Sequence, residues 1–162
     1  MRNLPLHSCG KFIALCLFAT CLALLIIAPV HAKAPDGNAL VIDPSLTWST
    51  FLGGSGNESG WAMAVDPNGN VYVTGYSTES WGSPVRPYTA GWDCFVAKLA
   101  ADGTLLWNTF LGGSGNYEYG QALAVDPSGN VYVTGGGDGA WGSPLRSYTG
   151  GWDCFVAKLT PD

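Results

Sequence analysis

Histidine is nearly absent from this sequence: there are two, His7 and His31, and both fall within the first 32 residues. Basic residues are also scarce, with seven Lys and Arg against twelve Asp and Glu. Of the five cysteines, Cys9, Cys16 and Cys21 precede residue 32, which leaves Cys94 and Cys154 beyond it. Each shortage excludes a class of chemistry. Without histidine, residues 33–162 hold no Ser-His-Asp triad, no Cys-His pair and none of the usual His-containing zinc ligand sets. Their formal charge is 5 minus 12, or −7, because Arg2 and Lys11 are lost with the leader and no acidic residue is. An acidic chain with so few basic residues lacks the electrostatic footprint of a nucleic-acid binder. No apolar run reaches the roughly 20 residues that cross a bilayer as a helix.

The longest apolar run, 12–27, has a telling position. Arg2 and Lys11 precede it, and Pro29, Val30, His31 and Ala32 follow. That order matches the charged, apolar and small-residue regions of a secretory signal, with Val30 and Ala32 placed for cleavage after Ala32. The expectation is a signal peptide over 1–32 that is removed on export. The mature chain is then secreted, periplasmic or displayed on the cell surface, and has no stable membrane span. An uncleaved anchor is the alternative. A lipoprotein fits less well, since neither Cys16 nor Cys21 follows the small residues that lipidation requires.

The rest of the chain repeats itself. Leu46-Thr-Trp-Ser-Thr-Phe-Leu-Gly-Gly-Ser-Gly-Asn57 returns at 105–116 with 10 of 12 residues identical, and after one inserted residue near Tyr117 the stretch 60–100 returns at 120–160 with 29 of 41 identical. The domain order is a signal peptide at 1–32, a linker at 33–45, a first repeat at 46–104 and a second at 105–162 that lacks its own last strand. Within the first unit, four short runs at 61–65, 71–74, 94–99 and 104–110 are separated by turn chemistry and read as strands. Asp66-Pro-Asn-Gly-Asn70 supplies one turn, with Pro67 presetting φ and Gly69 supplying positive φ. A Gly-, Ser- and Pro-rich loop over 75–91 separates the second and third runs. β-Branched and aromatic residues fill the runs and glycine interrupts the junctions, so helix is disfavoured.

The runs are apolar on both faces. Trp61, Met63 and Val65 alternate with Ala62 and Ala64, while Phe95, Ala97 and Leu99 alternate with Cys94 and Val96. Such a sheet needs cover on both sides, and stacking like sheets face to face around an axis provides it. The period near 60 lies somewhat above the propeller repeats of about 40 to 50 residues. The expected fold is therefore all-β: a β-propeller repeat of two four-stranded blades, a partial propeller, with the Ala62 and Ala64 strand innermost and the Trp107 strand outermost.

Three segments carry a resemblance: Gly60-Trp-Ala-Met-Ala-Val-Asp-Pro-Asn-Gly-Asn-Val-Tyr-Val-Thr-Gly75, Asp93-Cys-Phe-Val-Ala-Lys-Leu99 and Trp48-Ser-Thr-Phe-Leu-Gly-Gly54. Together they resemble the SBBP family, a seven-bladed β-propeller repeat of secreted and surface-associated bacterial proteins, over residues 46–162. The resemblance implies a fold and no common catalytic residue set. Two departures stand out: two units are present where a closed ring needs several, and Cys94 and Cys154 fill a slot that is commonly alanine.

The remaining candidates for chemistry are few. Glu58 and Glu118 occupy equivalent glycine-rich loops, where paired carboxylates across blades would suit glycosidic cleavage, although solvated loop carboxylates account for them. Asp66-Pro-Asn-Gly-Asn70 and Asp126-Pro-Ser-Gly-Asn130 offer calcium-like oxygen ligands, but without the bidentate Glu of an EF-hand they read as hairpin turns. Cys94 and Cys154 lie at equivalent points of stacked sheets, about 10 Å apart and beyond disulfide reach, so they are expected to be buried, unpaired thiols. The alternation of strand direction brings the two glycine-rich loops of a unit to one face. There Trp81, Arg86, Tyr88 and Trp92, with Trp141, Arg146, Tyr148 and Trp152, form a speculative ligand-binding surface that would stack on sugar rings or on a partner's anchor residues. Their recurrence in both units equally suits loop pins. No catalytic residue, metal ligand or cofactor is assigned.

The expected function is a noncatalytic binding or scaffold module whose partner is an unknown protein or glycan. A lectin-like glycan-binding propeller is one alternative, and a fragment or subunit of a larger extracellular enzyme is another. Residues 46–51 copy the fourth strand, while the second unit stops at Asp162 before its own fourth strand. Head-to-tail assembly of three or four chains into a homo-oligomer would complete the ring. A sequence taken from a longer chain would explain the same break, and that reading is slightly preferred.

Overall fold

The computed structural model describes residues 45–161. The expected signal peptide at 1–32 and nearly all of the expected linker at 33–45 lie outside the described residues. Those described contain no helix. Their seven strands are β1 (Glu58–Val65), β2 (Val71–Ser77), β3 (Asp93–Leu99), β4 (Leu105–Leu111), β5 (Glu118–Val125), β6 (Val131–Gly137) and β7 (Asp153–Leu159). They form one four-stranded sheet in the order β1-β2-β3-β4 and one three-stranded sheet in the order β5-β6-β7, with all pairings antiparallel.

The hairpins follow from their turn residues. Asp66 N–H donates to Asn70 O at 3.0 Å and Gly69 N–H to Asp66 O at 3.0 Å, with Gly69 at φ 82°, a region that favours glycine. The Asp66 carboxylate accepts from Asn68 N at 2.8 Å, Asn70 N at 3.0 Å, Asn70 Nδ2 at 2.8 Å and Tyr72 OH at 3.2 Å. Asp126 repeats the set in the second hairpin. The oxygens that looked ready for calcium are thus occupied in organising the turn. Burial acts to raise the carboxyl pKa of Asp66, but these hydrogen bonds outweigh it and hold the pKa below its ordinary value.

The strands run further than turn chemistry alone indicated. β1 begins at Glu58 rather than at 61, because the register shifts between Gly60 and Ala62 and pairing resumes beyond the shift, Glu58 with Ser77. The same bulge recurs between Gly120 and Ala122 in β5. It places Trp61 and Gln121 out of the ladder and strengthens the local twist. The fourth strand is Leu105–Leu111 rather than 104–110, and its copy at 46–51 forms no ladder among the described residues.

The sheets pack face to face. Tyr72, Cys94 and Val96 of the first meet Val131 and Val133 of the second, with Leu111 among them. The opposite face of the first sheet holds Trp81, Phe95, Ala97 and Phe110, covered by Leu52 and Tyr88. Among the described residues, cover on both faces is therefore realised for the first sheet alone. On the second, Val156 and Cys154 are exposed, which corrects the expectation that both thiols are buried. Cys94 is covered by Gly120 of β5, whose absent side chain lets the strand approach. Among the described residues, nothing stacks on Cys154 in that way. Both thiols are free, and burial pushes that of Cys94 up to about 12.

Candidate functional site

The eight aromatic and arginine residues singled out in the loops divide into two groups. In the first unit, Trp81 is 6 % exposed and meets Phe95 and Phe110 edge-on at centroid distances of 5.5 and 5.9 Å. The Arg86 guanidinium donates to Phe110 O at 3.1 Å and Gly112 O at 2.7 Å, and Phe110 N–H returns a bond to Arg86 O. Tyr88 packs on Phe110 and its hydroxyl donates to Gly91 O at 2.9 Å. These contacts fasten the long loop to β4. In the second unit, Trp141 stacks edge-on against Phe155 at 5.1 Å and carries the Arg86 guanidinium 5.7 Å above its ring. The Tyr148 hydroxyl lies 2.8 Å from Asp138 O and 2.9 Å from Gly151 O, its one proton shared between the two acceptors, while Arg146 is exposed.

Trp92 and Trp152 belong elsewhere. They join four rings that the sequence reading did not select: Trp61, Tyr76, Tyr117 and Tyr119. Trp92 stacks on Tyr76 at 4.3 Å and 13° and meets Tyr117 at 5.4 Å. Tyr76 meets Trp61 at 5.6 Å, Trp61 meets Tyr119 at 5.1 Å, and Tyr119 meets Trp152 at 5.3 Å. The result is a continuous six-ring cluster at the junction of the two sheets. Trp61, Tyr117 and Trp152 are 45 %, 43 % and 51 % exposed.

The added rings share one property: they stand where the repeats differ. Trp61 corresponds to Gln121, Tyr76 to Gly136 and Tyr119 to Ser59, while Tyr117 lies at the insertion. Gly136 has a packing reason, since a β-carbon there would press on the Trp152 indole at 2.6 Å from Nε1. The bulge carries Trp61 out of the ladder, and its Nε1 donates to Ser59 Oγ at 3.1 Å. Aligning the repeats by their identities hides such positions; aligning them by their differences would have found the cluster.

Between Tyr117 and Tyr119 stands Glu118, which is fully buried, and among the described residues its carboxylate oxygens have no well-aligned hydrogen-bond partner, the backbone of Gly113 being the nearest to one. Its counterpart Glu58 accepts from Gly54 N at 3.3 Å and from Ser77 Oγ at 2.9 Å. The second repeat has Gly137 in place of Ser77, so that hydroxyl is missing. Burial, and after it the nearby Asp93 and Asp138 carboxylates, raises the Glu118 carboxyl to about 7, with the Gly113 backbone and then Arg86 opposing. Asp93 is also buried and raised by desolvation, despite accepting from Thr89 N and Oγ1.

For Glu118 the sign follows from linkage. An acid whose folded pKa exceeds its unfolded value binds the proton more tightly when folded, so stability falls as pH rises between the two values. The expected window is about pH 4.5 to 7. Glu118→Gln should flatten the stability profile across it, as measured by urea unfolding at successive pH values. A variant retaining the parental slope would assign the slope to another group.

Comparison with known families agrees with this architecture. A model of the SBBP beta-propeller repeat matches residues 47–80 and again 106–140. The chain carries two SBBP β-propeller repeats. Each SBBP match starts in the Trp48 or Trp107 segment and runs through the first two strands of the sheet that follows. The outer strand of one blade and the inner strands of the next are thus contiguous within one SBBP repeat, which is why residues 46–51 precede β1. Comparison with curated proteins gives no match.

Proposed function

We propose that this chain is a noncatalytic, exported binding module whose contact surface is the aromatic cluster at the junction of its two SBBP repeats. The observation that carries this reading is the origin of the rings: Trp61, Tyr76, Tyr117 and Tyr119 occur where one repeat departs from the other. A residue needed only to fold a blade serves both blades alike, as Trp81 and Trp141 do. Four departures converging on one cluster, with three ring systems open to solvent, suit a recognition surface. Exposed aromatic faces supply large contact area at little entropic cost and stack on apolar faces of a ligand. Export rests on the leader-like residues 1–32.

The binding partner is a protein or a glycan. The row Trp61, Tyr119 and Trp152, with successive centroids 5.1 and 5.3 Å apart, favours the lectin-like reading as the second choice, since sugar rings present flat C–H faces to such rows. The test pairs a glycan array and an interaction screen against extracellular proteins with Trp61→Gln, which installs the residue of the second repeat. Loss of a wild-type interaction by about tenfold or more, as for an aromatic anchor, supports the reading. A ligand bound equally by both forms moves the site away from the junction.

A further inference from the structure

Glu118 lies between two of the six rings in the chain, and the segment that carries them is held by a short set of backbone bonds. Trp92 N–H donates to Asn116 O at 2.9 Å, Glu118 N–H to Trp92 O at 2.6 Å and Asp138 N–H to Tyr117 O at 3.1 Å, while Trp92 and Tyr117 form a parallel bridge. Gly112, Gly113 and Gly115 lead into the segment. The position of Glu118 therefore sets where the rings of Tyr117 and Tyr119 lie.

The groups around its carboxyl are mostly of its own sign. β3 brings Asp93 and the Cys94 thiol, the chain after β6 brings Asp138, and the long loop brings Arg86 as the one cation acting on it. A β-carbon on Gly115 would strike both Glu118 Oε1 and Asp138 Oδ1, so these oxygens converge on one point. Hydrogen-bond donors decide which of the three carboxyls gives way. Asp138 Oδ1 accepts from Asn116 N at 2.8 Å and Tyr117 N at 2.9 Å, and Asp93 accepts from Thr89 N at 2.8 Å and Thr89 Oγ1 at 2.9 Å. Arg86 directs two N–H groups to Phe110 O and Gly112 O. Glu118 is left with the poorly aligned Gly113 backbone, because Gly137 stands where the first repeat offers Glu58 the Ser77 hydroxyl.

We propose that Glu118 is a proton gate for the aromatic cluster. Neutral, it lets segment 116–119 lie against Trp92 and completes the six rings; ionised, it draws that segment toward water and parts Tyr117 from Trp92 and Tyr119 from Trp61. An enclosed carboxylate without aligned donors, set beside two others, is far costlier than the neutral acid. A segment that opens more easily than the whole fold relieves that cost first. As regulation of a binding surface the gate rests on the function proposed above: only the closed fraction offers assembled rings, so a ligand of the cluster is held more tightly in mildly acid solution than at neutral pH.

Amide hydrogen exchange followed by NMR on the full-length protein tests the gate without any ligand, so its outcome is separate from that of the binding reading. The closed form has the higher affinity for the proton, so opening grows as pH rises. After correction for base-catalysed intrinsic exchange, protection of the Trp92 and Glu118 amides should fall about tenfold per pH unit between about 4.5 and 7 and level off above. Throughout, it should stay well below the protection of amides within β3. Glu118→Gln should abolish the fall, and Gly137→Ser, which returns the hydroxyl of the first repeat, should weaken it; the second variant decides if the first does not fold. Protection independent of pH in the parent, a fall undiminished in the variants, or protection equal to that of β3, which would make the opening global, would each overturn the proposal.

Discussion

Trp81→Ala should lower the stability of the protein by about 3–5 kcal/mol, the loss expected for deleting a large buried aromatic side chain. The indole is enclosed, wedged edge-on between Phe95 and Phe110, and its own carbonyl accepts from Asn108 Nδ2 at 2.8 Å. Removing the ring leaves a void between the long loop and the sheet, and the loop also carries Arg86 and its two bonds to the β4 region. Among the described residues the indole N–H is buried without a partner, a feature that costs stability instead of adding it. Trp81→Phe should therefore be much milder than Trp81→Ala, since it retains a ring against Phe95 and Phe110 and disposes of the orphan donor. Trp141→Ala should cost less than Trp81→Ala, because Trp141 is only half-buried. Chemical denaturation followed by circular dichroism orders the three. A Trp81→Ala protein as stable as the parent would contradict the packing described and return Trp81 to the pool of ligand-facing residues.

The second large effect is expected at Gly120. A β-carbon there would run into Thr74 Oγ1 and lie 2.9 Å from Cys94 Sγ, so β5 reaches the first sheet only because the residue has no side chain. Its counterpart Gly60 meets nothing nearer than Val73 Cγ1 at 3.4 Å. Gly120→Ala should cost roughly 1–3 kcal/mol, the usual penalty of overpacking. Gly60→Ala should be near neutral, because relief of glycine's extra chain entropy offsets the modest contact. The two positions have the same type and register in the two repeats, so the comparison isolates the contact between sheets. Equal unfolding midpoints for the two variants would mean that the sheets are not held at this separation.

Much of the blade was legible in the residues because its determinants are local. Asp66-Pro-Asn-Gly-Asn70 specifies its turn through an acidic side chain and a positive-φ glycine, and the alternating runs on either side follow from periodicity. The extensions of β1 and β2 beyond that turn were less accessible, because they depend on a bulge at Trp61 that lets Glu58 pair with Ser77. The loop residues illustrate a different limit. Trp81 and Trp92 look alike in sequence, each followed or preceded by glycine in the same loop region, yet one is a core residue and the other part of a solvent-facing cluster. What separates them is the partner that each meets from distant strands, Phe110 in one case and Tyr117 in the other. Glu118 shows the same limit for charge: its burial depends on the neighbouring sheet, while its lost partner is visible as the replacement of Ser77 by Gly137.

Arg86 sits at a point where two kinds of connection cross. Its guanidinium holds carbonyls at the end of one blade and lies on the Trp141 ring of the next. In arrays of repeats, stability divides into what each unit has alone and what each neighbouring interface adds. A side chain that contributes to both terms links them, so that loosening the loop of the first unit also removes a cap from the ring of the second. The expected consequence is that fraying in either blade is felt by its neighbour, so that the two unfold with coupled cooperativity.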